Sequence, residues 1–177
     1  PQAKKENYGI HLEASLSELI SYARRYFYNW EAAGKVRFNS YAQSQEIESG
    51  FANLFWNWYV IDYRFHRDVS PIIDFYMAEK ADEMEEHLYP TFTALKNSYL
   101  SVYQVQWIKN NAVCIRDIFG HNQYVVERDF GPHTRIVEEG MLLLTRIVQV
   151  AKTPIMLGRP ILVNYKHKNY LLEEVNS

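Results

Sequence analysis

One cysteine, Cys114, stands in 177 residues. A lone thiol excludes an internal disulfide and any zinc site built on several thiolates, and it fits a reducing, cytoplasmic setting. Glycine is sparse, with seven in all and none clustered. A phosphate-cradling glycine loop is therefore missing, and nucleotide hydrolysis is not expected. The six histidines (His11, His66, His87, His121, His133 and His167) show no ligand spacing such as His-x-x-x-His, so no metal or other cofactor is expected. No apolar run approaches the roughly 20 residues of a transmembrane helix. The start, Pro1-Gln2-Ala3-Lys4-Lys5-Glu6, is too polar for a secretory signal, so no membrane association is expected. No serine or cysteine sits in a nucleophile elbow.

Aromatic side chains are abundant: they make up 15% of the chain, with 14 Tyr and 4 Trp. Tyrosine favours half-buried surfaces and grooves, because its ring is apolar and its tip is polar. The hydrophobic share of 47% and the charged share of 23% suit a domain with a packed core. Charge is uneven along the chain. Residues 1–100 carry 10 Lys+Arg against 14 Asp+Glu, and residues 101–177 carry 9 against 7. A mildly basic second half is either drift in surface composition or the trace of a binding face.

The first hundred residues read as helices. Residues 1–9 look like a loose start. Ser15 to Glu18 has the spacing of a capping box, and Leu16, Leu19, Ile20, Ala23, Phe27 and Trp30 recur at helical intervals up to Gly34, a suitable terminator. Tyr22, Arg25 and Tyr26 lie on the remaining faces, as a solvated helix side or as a surface for a protein partner. A second helix is expected from about residue 41 to Phe65, apolar almost all round and hence central and buried. It carries Trp58 and one carboxylate, Asp62. Ser70 as N-cap with Pro71 at the first helical position opens a third helix, and Pro90 breaks or restarts it before residue 100.

After Ser101 the period becomes two. Strands are expected at 102–108, 112–119, 123–130, 134–137 and 141–150, with two further pieces on either side of Gly158. Such short antiparallel strands suggest a small barrel or strongly bent sheet of SH3-like or OB-like type. The expected architecture is α+β: a helical lobe of three to four helices over 1–100, packed on a β lobe and tail over 101–177.

Asp62 and His66 stand four residues apart, a spacing at which an imidazole and a carboxylate meet on a helix as an acid–base pair. A structural role for Asp62 competes with that, since a buried carboxylate must accept hydrogen bonds. In the β half, Arg116, Tyr124, Arg128, Arg135, Lys166 and Lys168 form a candidate surface for RNA or single-stranded DNA, because small barrels bind such strands by stacking and cationic grooves. Asp117 and Asp129 beside two of these arginines dilute the field.

The order of motifs resembles a poorly characterised bacterial family, the SEC-C motif proteins. Trp58-Tyr59-x-Ile61-Asp62-Tyr63 followed by Ser70-Pro71-Ile72, Ser101-x-Tyr103-x-Val105, Asp117-Ile118-Phe119-Gly120, and Gly140-Met141 leading to Thr145-Arg146-Ile147-Val148 match its pattern over roughly residues 50–160. Met141 departs from the acid usual there, and the cysteine-rich zinc motif that names the family is missing. The resemblance implies the fold and a bacterial or phage origin, and no reaction. A non-catalytic module binding a protein partner is the leading expectation. Nucleic-acid binding comes second, and a hydrolase using Asp62 and His66 comes third.

Overall fold

The structure, a computed structural model, describes residues 2–41, 50–128, 130 and 136–163. The chain is α+β, with five helices followed by a five-stranded antiparallel sheet among the described residues. It divides into two compact units, Pro1–Ser98 and Tyr99–Ser177.

In the first unit, α1 (Gln2–Tyr26) packs against all four other helices: α2 (Tyr28–Tyr41), α3 (Gly50–Ile61), α4 (Ile72–Glu79) and α5 (Tyr89–Lys96). Its buried stripe is Leu12, Ser15, Leu19, Tyr22 and Ala23, at spacings of three and four. Several boundaries depart from the sequence reading. Ser15 lies buried within α1 and opens no helix, because α1 begins at Gln2. The chain bends at Phe27 and turns helical again, so Gly34 is interior to α2 and terminates nothing. Its role is close approach: a β-carbon there would lie 2.7 Å from the buried Tyr59 ring. The expected second helix ends early, at Ile61, where the Tyr63 and Asp62 amides both donate to the Trp58 carbonyl. Its expected polar start at 42–49 lies outside the described residues. Pro71, and not Ser70, is the N-cap of α4, with no side-chain cap. Pro90 stands in the first turn of α5.

In the second unit, β1 (Tyr99–Lys109), β2 (Ala112–Asp117), β3 (Gln123–Glu127), β4 (Leu142–Val150) and β5 (Thr153–Leu162) are ordered β3-β2-β1-β4-β5. The expected barrel is not closed: β3 and β5 are edge strands that approach one another without ladder pairing among the described residues. The piece expected at 134–137 is no strand at 136–137, and 134–135 and the tail lie outside the described residues. The two pieces around Gly158 are one strand, β5, with Gly158 at positive φ.

The core lies on one face of the sheet, formed by Tyr103, Val105, Val113, Ile115, Val126, Leu143 and Ile147 with Phe130 and Val137. A bulge between Val105 and Trp107 shifts the register by one residue, so Trp107 opposes Cys114 while Ile108 packs on the core. Strict alternation through 102–108, expected from the sequence, ends there because the extra residue exchanges the faces.

The end of β2 is tied to β1 by Asp117, which is fully buried. Its carboxylate accepts from the Tyr99 hydroxyl (2.8 Å), the Ser101 hydroxyl (2.8 Å) and the Phe119 amide (3.0 Å). Burial pushes its pKa up, but these donors, with the Gly120 amide, outweigh burial and hold the carboxyl below the ordinary range.

Candidate functional site

The bend at Phe27 gathers aromatic side chains from three places in the helical unit. Phe27 stacks on Phe65, with ring centroids 5.5 Å apart and planes 5° from parallel. Trp30 meets Phe65 at 5.1 Å, and Phe75 meets Phe27 at 5.7 Å. Tyr22 joins from beneath, 5.9 Å from Phe27 and 4.9 Å from Tyr26. The outer members face water: Tyr26 is 53% exposed, Trp30 50% and Phe75 39%. Phe27 and Phe65 are half-buried beneath them. Contiguous exposed aromatics of this kind are costly to leave in water and mark interaction sites.

Of the three residues expected to meet a protein partner, Arg25 and Tyr26 are exposed at this patch, with the Arg25 guanidinium 5.4 Å from the Tyr26 ring. Tyr22 is buried instead. It donates to Glu79 Oε2 at 2.6 Å, while the neighbouring Tyr76 donates to Glu18 Oε1. These two Tyr–Glu pairs tie α1 to α4. Burial, and then the Glu79 carboxylate, raises the Tyr22 pKa.

Asp62 and His66 lie beyond the end of α3, in the turn that carries Phe65. Asp62 is half-buried and engaged within the fold, and His66 is exposed. No continuous helix spaces the pair. Trp58 is half-buried among aromatics, 5.2 Å from the Phe38 ring and 4.9 Å from the Tyr63 ring.

The described members of the proposed nucleic-acid surface do not form a groove. Arg116 is exposed beside His121, at 3.4 Å. Tyr124 packs inward on the core, with its ring 6.1 Å from Tyr103. Arg128 follows β3 at the far end of the β2–β3 pair from Arg116. Arg135, Lys166 and Lys168 lie outside the described residues. Among the described residues, no three of His, Cys, Asp and Glu gather where they would hold a metal ion, and no helix is long and apolar enough to cross a membrane.

The sequence reading placed Phe27 and Trp30 on the apolar stripe of the first helix and Phe65 on a face of the buried central helix; their meeting at a surface depends on the bend at Phe27 and on the end of α3.

Fold and patch together define an α+β protein whose helical unit displays an aromatic surface. The chain belongs to the family of unknown function DUF7986, which it matches over residues 24–177, most of its length. No curated protein and no solved structure matches it.

Proposed function

We propose that this chain is a non-catalytic interaction module that binds a protein partner through the patch formed by Tyr26, Phe27, Trp30, Phe65 and Phe75. The observation that carries the reading is the exposure of Tyr26, Trp30 and Phe75 on a continuous set of ring contacts. Trp, Tyr and Arg dominate the energetics of protein interfaces, because each buries a large area at low entropic cost or forms directed hydrogen bonds. Arg25 against Tyr26 adds the third residue type at this surface. A bacterial or phage cytoplasm is the proposed setting, supported by the likeness to SEC-C motif proteins over residues 50–160 and by the single cysteine.

Site-specific photo-crosslinking tests the reading. A photoreactive amino acid replaces Trp30, and in a control it replaces the exposed Ala14, roughly 18 Å further along α1 from Tyr26 at the helical rise. A discrete protein adduct at Trp30 and none at Ala14, in lysate of the natural host, is the expected result. No adduct at Trp30, or equal adducts at both, contradicts it.

A further inference from the structure

We infer that His11 and His87 form a two-imidazole site for a borderline divalent transition ion of the Zn2+, Ni2+ or Cu2+ class. His11 is carried by α1 and His87 by the turn that leads into α5, and their ring centroids lie 6.1 Å apart with planes at 71°. Zinc bonds an imidazole nitrogen at about 2.0–2.1 Å, which sets the ring centre roughly 3.2 Å from the ion, so two rings on one ion have centres at most about 6.4 Å apart. The observed separation falls inside that limit. Both side chains are exposed, so they turn onto a common ion without unpacking the helices. The backbone beneath them is fixed: Leu12 beside His11 is buried, and the Leu88 amide closes the turn on the Glu85 carbonyl at 2.9 Å.

Glu85 orients one of the two ligands. Its Oε2 lies 3.2 Å from His87 Nδ1. A carboxylate there keeps the proton on Nδ1 and leaves the Nε2 lone pair for a metal. Charge also favours a cation at this place: residues 80–88 hold Asp82, Glu83, Glu85 and Glu86 against Lys80, four carboxylates against one ammonium. Hard ions such as Mg2+ prefer oxygen ligands, whereas imidazole suits Zn2+, Ni2+ and Cu2+. Among the described residues no third His, Cys, Asp or Glu completes a metal-holding group, so water fills the remaining positions. The ion then bridges α1 to the start of α5. Local spacing in the sequence does not reveal such a pair, because its two members come from different elements.

Calorimetric titration of the intact chain with ZnCl2, and in parallel with MgCl2, tests this. One saturable site is expected for Zn2+ and none for Mg2+. Affinity for Zn2+ is expected to fall by roughly tenfold or more in His11→Ala and in His87→Ala, and by a smaller factor in Glu85→Gln. Zn2+ is expected to raise the thermal midpoint of the parent, because the ion joins two segments only in the folded chain, and to leave that of His11→Ala unmoved. The double variant His66→Ala, His121→Ala is expected to bind as the parent does. His11→Asn and His87→Gln give the same readout should an alanine variant fail to fold. Undiminished Zn2+ binding in either single histidine variant overturns the inference, and so does an equal loss in the His66, His121 double variant. Mg2+ bound as tightly as Zn2+ assigns the ion to the carboxylates and overturns it. No saturable Zn2+ binding to the parent overturns it outright.

Discussion

Gly34 and Tyr59 meet where α2 crosses α3, and the Tyr59 ring occupies the space that any β-carbon on residue 34 would need. An added β-carbon would stand 2.7 Å from Tyr59 Cε2 and 2.8 Å from Cδ2. The ring is fully buried and pinned at its far end, where the hydroxyl donates to the Phe27 carbonyl at 3.0 Å. In an exposed helix, Gly→Ala would gain up to about 1 kcal/mol. Overpacking a core costs about 1–3 kcal/mol, and here the neighbour cannot retreat, so the clash wins. Gly34→Ala is expected to lower the free energy of unfolding by about 2 kcal/mol in chemical denaturation.

Asp117 carries a second prediction. Asp117→Ala leaves the buried Ser101 hydroxyl without an acceptor and removes the partner of the Phe119 amide and of the more exposed Tyr99 hydroxyl, a loss of roughly 2 kcal/mol or more. The pH dependence follows from the sign of its shift. Its folded pKa is depressed, so its contribution to stability is fully present above the ordinary Asp value of about 4 and is lost as pH falls through the depressed folded value. Denaturation midpoints measured from pH 6 downwards are expected to fall less steeply in Asp117→Asn than in the parent, because that variant removes one proton-linked group.

The β4–β5 hairpin turns through Ala151 and Lys152, both at positive φ (48° and 67°), between the paired Val150 and Thr153. A two-residue turn of this kind suits Asn-Gly, and neither resident is suited to the left-handed region. Ala151→Asn combined with Lys152→Gly is expected to stabilise the protein by about 1 kcal/mol, read as a higher thermal midpoint.

Trp30→Ala and Phe75→Ala are expected to cost about 1–2 kcal/mol, since Trp30 is 50% and Phe75 39% exposed and only the remainder of each ring is withdrawn from water. The same change at the buried Phe92 is expected to cost about 3–5 kcal/mol. A smaller stability loss than at Phe92, together with lost binding, separates a displayed surface from a core.

The division into helices and then strands was legible because the apolar period changes from 3.6 to two near Ser101. The turn at Asn110 was legible from asparagine's tolerance of positive φ, observed at 51°. The length of α1 was not legible, because Ser15 at capping-box spacing mimics a helix start while its side chain is in fact buried within the helix. Gly34 misled for a related reason: glycine serves both as terminator and as close-approach residue, and only the position of Tyr59 separates the two. The sheet's open edge depends on pairing between β3 and β5, which no local pattern encodes. At the candidate site, Arg25 and Tyr26 were legible as exposed helix positions. The rings of Trp30, Phe65 and Phe75 were not, because their meeting depends on the bend at Phe27 and on the end of α3 at Ile61.

Hydrogen–deuterium exchange of the intact chain, alone and with a peptide or protein that binds it, tests the central claim most directly. Protection confined to the segments around 24–31 and 62–76 is the predicted result. Protection confined to the strands of the second unit, with those two segments unchanged, would contradict the assignment of the aromatic patch as the binding surface.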